Sequence, residues 1–457
     1  MLKLVEEGLP TAPLEGGGDL RAVIHEARKA WPPWARLPFE QRLALLRRLS
    51  SSLWDNLDVM AASLVQETGR PWWLALLEAR AACRLTEEIL DQLEEIDSSI
   101  LYWPLSGSRD GLSPLGVWLI STDVTCGLFL NAVLCCAALL GGNSVIMSPE
   151  RHLMRTSAHL CSLTGKVGLP PGVCSLLSGR WTEEETVAIT SAEASPDGIL
   201  VSGSPGRLRR LLPKGLDPLS VRFRPMDMGG SCVLIWGASD AERAAREVFL
   251  WAFAHGGQIP GSPRFVLCGS DQMETVWGTM VEEMERLRIT GPMDEDAVVG
   301  EVQDAELMKD AHSWREKALA CGTLRTLRVH ESEERQFLPA VWWGPTGSAL
   351  MKDEIPMGCL VLCEVGDLGS AFMIIRQRDE PFLGIYCDAI SELHQPQIGP
   401  GFRGIFVNGF PDPFGMALAG EGTIHRDGLS LVVPFMRLQE YFFTAPRGNR
   451  GSSGWAR

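Results

Sequence analysis

From Gly116 to Lys214 the chain alternates short apolar runs with longer segments of helical character, and this alternation restricts the fold more than any other feature. "GVWLIS" at 116–121 reads as a strand, 128–140 as a helix, "NSVIMS" at 143–148 as a strand, 151–167 as a helix and "VCSLLSG" at 173–179 as a strand. "DGILVSGS" at 197–204 adds a strand and "PGRLRRLLPK" at 205–214 a helix. Strands separated by a helix cannot close as hairpins. The helix returns the chain to its starting edge, so the strands run parallel and the helices cover the sheet faces. A second block repeats the texture. "CVLIWG" at 232–237 is a strand, 240–255 a helix, "RFVLCG" at 264–269 a strand and 271–287 a helix. "LVLCEV", "GIYCDA" and "GIFVNG" supply further strands, and "RLQEYFFTAP" at 437–446 a last one.

The segment before this block is different. Residues 18–98 carry apolar positions at helical spacing in two stretches, interrupted by Gly69-Arg70-Pro71. Residues 99–115 are polar and rich in Ser, Gly and Pro, and read as an excursion, a candidate hairpin. A chain of 457 residues, 45% hydrophobic, is expected to build more than one domain around a large core.

Charge and composition exclude several classes of function. A net charge of −15 argues against a nucleic-acid partner, which needs a basic face. The local cluster Arg207, Arg209, Arg210 and Lys214 reads as a solvated helix face. The most apolar stretch, Leu128 to Leu140, contains Asn131 and is too short to cross a bilayer, so it reads as a buried helix. The N-terminal residues lack the layout of a signal peptide, and the expectation is a soluble cytoplasmic protein with no membrane partner. The 12 cysteines form no Cys-x-x-Cys pair and read as reduced core residues. The eight histidines form no metal-ligand pattern. His152 and His159, seven apart, could share a helix face but read as surface or capping residues. No metal site is expected.

Several motifs, in order along the chain, resemble those of the aldehyde dehydrogenase superfamily. They are "ETGRP" at 67–71 followed by Glu78, "PLGVWLI" at 114–120, "ALLGGNSVIMSPE" at 138–150, "GLPPGVCSLLSG" at 168–179, "VSGS" at 201–204 and "MDMGG" at 226–230. "GGQIP" at 256–260, "DEIPMG" at 353–358, and "IFVNG" and "PFG" within 405–415 complete the set. The resemblance implies an α/β fold in three parts. Residues 1–98 and 116–228 would form a Rossmann-like cofactor domain, and 229–435 a catalytic-type α/β domain. Residues 99–115 and 436–447 would form a small β oligomerisation element, and 448–457 a flexible tail.

The resemblance also implies a chemistry, and the residues depart from it. Members of the superfamily add a thiolate to an aldehyde, transfer hydride to NAD or NADP, and hydrolyse the thioester. The position of that thiol falls at Pro260, which has neither nucleophile nor N–H. Nearby, Ser262 has a hydroxyl but no recognisable base. The oxyanion-binding Asn falls at Thr125, with Asp123 two residues before it. The general base Glu falls at Asp227. The cofactor's ribose Lys falls at Ser148, and the Phe that packs on nicotinamide at Pro356. Gly203, Ser204 and Glu354 are retained as degenerate cofactor-binding positions. A glycine at the start of the phosphate-facing helix is replaced by Leu208, which weakens pyrophosphate binding there.

Cys232 is the candidate for a relocated thiol, ahead of Cys268. Joint loss of nucleophile, oxyanion donor, ribose lysine and nicotinamide-packing ring points to a member that has lost catalysis; no cofactor is expected, with weak binding of NAD or NADP left open. Its expected role is a structural or regulatory one, as a homodimer or as a hetero-oligomer with an active relative or a pathway enzyme. Trp31, Trp34, Trp72 and Trp73 are the candidate interface aromatics. An active NAD(P)-dependent oxidoreductase of altered mechanism and a non-catalytic nucleotide or metabolite sensor are the alternatives.

Overall fold

The computed structural model describes residues 19–94, 110–177, 195–211, 221–302, 305–320, 325–328, 339–345, 354–389, 402–411, 413–418 and 436–440. Among the described residues four helices come first: α1 (Leu20–Ala35), α2 (Phe39–Asp55), α3 (Leu57–Thr68) and α4 (Trp72–Glu94). Asp19 caps α1 by accepting the Arg21 N–H at 3.0 Å. The apolar repeat runs through α2 and α3 as one block, but the helix breaks at Asn56. There the side-chain amide bonds the Ser52 carbonyl at 2.8 Å and competes with the backbone ladder. Helix α3 stops at Gly69, whose φ of 70° is the left-handed conformation glycine reaches without steric cost.

The first sheet is built by β2 (Val117–Ser121), α5 (Gly127–Leu140), β3 (Ser144–Met147), α6 (Met154–Lys166), β4 (Cys174–Leu176), β5 (Gly198–Gly203), α7 (Pro205–Leu211) and β6 (Arg222–Asp227). Its five strands lie in the order β4-β3-β2-β5-β6 and are all parallel. Strands β2, β3 and β5 are buried at every position, as a sheet covered on both faces requires. Helix α5 is buried throughout, including Asn131, whose amide donates to Ser157 Oγ at 3.0 Å. Strand order reverses between β2 and β5. In open α/β sheets, ligands bind beyond the strand C-termini at such a reversal.

The second sheet is built by β7 (Ser231–Ile235), α8 (Ala241–Phe253), β8 (Pro263–Gly269), α9 (Met273–Arg286), α10 (Ala305–Ala320), β9 (Arg325–Arg328) and β10 (Ala340–Gly344). It continues through β11 (Cys359–Val365), α11 (Leu368–Ile375), β12 (Phe382–Tyr386), β13 (Gly404–Val407) and α12 (Pro413–Ala417). The seven strands run β13-β12-β7-β8-β11-β10-β9, parallel except for β9, which pairs antiparallel with β10. Two strands, β1 (Asp110–Pro114) and β14 (Met436–Glu440), form a separate antiparallel ribbon, Leu112 opposite Leu438. Residues 110–114 of the 99–115 excursion pair with the C-terminal strand; the rest of the candidate hairpin lies outside the described residues, as does the 448–457 tail.

One sequence reading is corrected by the packing. Trp34 is fully buried and donates its indole N–H to the Leu139 carbonyl at 3.1 Å, so it is core and not interface. Trp31, Trp72 and Trp73 are half-buried, and the indoles of Trp31 and Trp73 bond the carbonyls of Gly142 and Ala297 at 3.1 and 2.8 Å. His152 and His159 do not share a helix. His152 lies in a short turn before α6, and the His159 ring pairs with Asn56 Oδ1 at 3.2 Å. Among the described residues no helix is long and apolar enough to cross a membrane.

Candidate functional site

The two sheets meet at Met228-Gly229-Gly230, the three residues between β6 and β7. Close packing requires the glycines. A Cβ on Gly230 would lie 2.2 Å from Arg264 Cγ, and one on Gly229 2.9 Å from Asp227 Oδ1. The loop 254–262 after α8 folds against this crossing. Gly261 donates to the Gly229 carbonyl at 3.0 Å and Ser231 to the Ser262 carbonyl at 2.9 Å.

The loop turns through three consecutive left-handed residues, His255 (φ 51°), Gly256 (φ 62°) and Gly257 (φ 77°). His255 is fully buried and burial holds its imidazole well below its ordinary pKa, helped by the nearby Arg70 cation. Pro260 is buried at the loop's centre. Ser262 spends its hydroxyl on the Trp251 and Ala252 carbonyls at 3.1 and 3.4 Å, which close the last turn of α8. Neither residue presents a nucleophile.

The Thr125 segment links β2 to α5 and is held from below. Arg70 and Glu78, both without exposure, form an ion pair. Arg70 donates to the Val124 and Thr125 carbonyls at 2.5 and 2.9 Å, and Glu78 accepts the Phe129 N–H in the first turn of α5 at 3.1 Å. Burial lowers the Arg70 guanidinium to a pKa of about 10. Thr125 Oγ1 donates to Asp123 Oδ1 at 2.6 Å, so its proton is already used and cannot serve an oxyanion. Asp123 also exchanges hydrogen bonds with Ser202 at 3.3 Å through its N–H and its carboxylate.

Asp227 ends β6 beside the crossing. Burial raises its carboxyl above the ordinary range, and the neighbouring Glu354 adds to the rise. The Gly229 N–H, at 2.7 Å, and Arg403 act in the opposite sense. Arg403 also donates to the Asp227 carbonyl. Glu354 is exposed and Pro356 half-buried.

No thiol is available near the loop among the described residues. Cys232 lies within β7 with no exposure, and burial pushes its pKa well above the ordinary value. Cys268 lies in β8, also buried and pushed up to about 12. A buried neutral thiol is a core residue. Cys126, beside Thr125, carries no motif that singles it out in the sequence. It is fully buried against Met228 Sδ at 3.8 Å, and burial followed by Asp123 raises its pKa well above normal.

At the cofactor positions the structure gives a specific arrangement. Ser148 is buried with an Oγ that has no hydrogen-bond partner, so no cation reaches out from there. Ser204 Oγ accepts the Arg207 N–H at 3.3 Å and caps α7. The reading of Arg207 as part of a solvated face is corrected. Its side chain is 12% exposed and lies across the strand C-termini at the reversal, while Arg209 and Arg210 are exposed. The residues present do not fit a dinucleotide held at this edge, because an arginine already occupies it. Among the described residues no three His, Cys, Asp or Glu side chains are arranged to hold a metal.

Comparison with known proteins agrees with the fold. The chain is 25% identical over 293 residues to N-succinylglutamate 5-semialdehyde dehydrogenase of Novosphingobium aromaticivorans, covering 61% of this chain and 59% of that one. It is 28% identical over 385 residues to the enzyme of that name from Escherichia coli, covering 80% and 74%. The match spans 49% of the Serratia proteamaculans relative, so the chain covers about half to three-fifths of some of these proteins. A solved NAD-dependent benzaldehyde dehydrogenase from Corynebacterium glutamicum superposes with a TM-score of 0.77 at 21% identity, over 92% of this chain and 87% of that one. A mutant of Thermus thermophilus 1-pyrroline-5-carboxylate dehydrogenase gives 0.78 at 20%, over 92% and 84%. The family profile described as "Aldehyde dehydrogenase family" matches residues 6–371, and the chain, with its two mainly parallel sheets in an aldehyde dehydrogenase-like α/β fold, belongs to that family.

Proposed function

We propose that this chain keeps the aldehyde dehydrogenase fold without its thiol chemistry, and acts as a structural or regulatory subunit assembled with itself or with an active relative. The observation that carries this reading is Pro260, buried at the nucleophile position of an otherwise ordered loop. The oxyanion position supports it, since the Thr125 hydroxyl is bound to Asp123. Among the described residues the ribbon of β1 and β14 is two-stranded, and its edges are the surface offered for assembly. The test is turnover of the purified chain with NAD⁺ and NADP⁺ over an aldehyde panel that includes N-succinylglutamate 5-semialdehyde and benzaldehyde, with light scattering alone and beside an active relative. No reduced cofactor and a defined oligomer support the reading. Saturable aldehyde-dependent reduction sinks it.

A second reading is an active NAD(P)-dependent oxidoreductase that acts on an aldehyde by an altered mechanism. The dehydrogenase names of its relatives support it. So does Asp227, a half-buried carboxyl with a raised pKa at the family's base position. On this reading Asp227→Asn abolishes turnover; on the first there is none to lose.

A further inference from the structure

We propose that Arg207 is a built-in plug: its guanidinium takes the place of a dinucleotide at the strand-order reversal of the first sheet and closes that edge to nucleotide. This inference rests on the first reading above and supplies a physical reason for it.

The geometry is that of a ligand site satisfied from within. Arg207 Nε donates to the Ser202 carbonyl at 2.9 Å, near the end of β5. One terminal nitrogen donates to Ser121 Oγ at 2.8 Å, at the end of β2, and reaches the Thr122 carbonyl at 3.5 Å. The other pairs with Glu150, which follows β3 and is tied to β2 by its own N–H on the Thr122 carbonyl at 2.9 Å. One guanidinium thus joins the C-terminal ends of the three central strands. A planar fork of donors suits this bridging, and a lysine could not reproduce it.

The backbone accommodates the stem. A Cβ on Gly203 would lie 2.3 Å from Arg207 Cδ, so the side chain rests on a bare Cα. In open α/β sheets a glycine there admits the close approach of a phosphate; here the arginine's own methylenes use the space. Helix α7, seven residues long, offers little dipole to an anion, and Ser204 is spent on its cap. A dinucleotide would have to break the Arg207–Glu150 pair and strip several hydrogen bonds before making any.

The experiment is thermal unfolding of the full chain with and without 5 mM NAD⁺ or NADP⁺, with calorimetric titration of the same nucleotides, on the native protein and on Arg207→Ala, Arg207→Lys and Glu150→Gln. The native protein is expected to show no saturable heat and no rise in Tm. Arg207→Ala is expected to lose about 2–4 °C or more in Tm. The two milder substitutions, which keep the fold testable if the alanine variant does not fold, lose part of that. Saturable nucleotide binding by the native chain overturns the plug, as does an Arg207→Lys or Arg207→Ala protein as stable as the native one. Failure here is distinguishable from failure of the functional reading. Nucleotide binding without turnover removes the plug and leaves that reading; turnover without nucleotide at this edge does the reverse.

Discussion

Arg70 and Glu78 face each other across the start of α4 with neither side chain exposed, and between them they hold both ends of the Thr125 segment. The arginine fixes the Val124 and Thr125 carbonyls, while the glutamate caps α5. A buried pair of this kind contributes little net stability against an apolar pair, because both charges were desolvated to make it. Removing one partner is different, since it strands the other. Glu78→Gln is therefore expected to destabilise the protein by about 3–5 kcal/mol, and Arg70→Met by a similar amount. The double variant Arg70→Met with Glu78→Leu should lose clearly less than the two single losses added. Denaturant unfolding of the four proteins checks this, and strict additivity would count against a coupled pair.

His255 sets a pH dependence whose sign follows from burial. Its folded pKa lies well below 6.5, while the unfolded chain titrates near 6.5. Below about pH 6.5 the unfolded state binds the extra proton, so stability falls as pH drops, and above it the contribution is constant. His159 is shifted down in the same sense, first by burial and then by Lys166. Asp227 and Glu67 are raised, mainly by burial, and act oppositely in the lower carboxylate range. Melting temperatures between about pH 7.5 and 5.5 should fall with acidity. His255→Asn, a residue that tolerates a φ of 51°, should flatten that slope. An unchanged slope would remove His255 as its source.

The parts of the fold that follow periodicity are legible in the sequence, and the parts that depend on long-range pairing are not. Strands β2, β3, β5, β7 and β8 are apolar runs because both faces are covered, and they read correctly. Strand β6, "RFRPMD", is half-exposed and charged, so no pattern marks it; it is a strand because β5 pairs with it. The proline that the resemblance sets at the thiol position is visible from one residue in a recognisable loop. The arginine over the strand ends is not. Arg207, Arg209 and Arg210 look alike as a basic run, and only the fold turns the first of them over Gly203 toward Ser121 and Glu150. The signal that could find it is a long cation four residues after the retained Gly203, within reach of its bare Cα.

Among the cysteines of the described residues, reactivity should be confined to one place. Cys161 on α6 is half-exposed, its thiol donates to the Cys174 carbonyl at 3.7 Å, and the neighbouring Cys174 thiol lowers its pKa. Burial holds Cys83, Cys136 and Cys363 up at about 12 and Cys359 at about 11. Since the thiolate is the reacting species, limited iodoacetamide at about pH 7.5 is expected to label Cys161 first among these cysteines. Cys174→Ala should slow that labelling. Peptide mass spectrometry reads both, and early labelling of Cys126 or Cys232 would contradict their burial.

Restoring a thiol should not restore an enzyme. Pro260→Cys places sulfur in a buried loop whose neighbours are not arranged to use it. The Thr125 hydroxyl stays on Asp123, Ser148 supplies no cation, and Arg207 stays over the nucleotide edge. The backbone N–H that the substitution introduces is an additional buried donor that needs a partner. Losing proline also widens the unfolded ensemble, which costs about 0.4–1 kcal/mol. The expected variant is slightly less stable than the native chain and equally silent with NAD⁺, NADP⁺ and aldehydes. Measurable aldehyde oxidation by Pro260→Cys alone would mean that the thiol is the sole missing part, and that the edge held by Arg207 opens in solution.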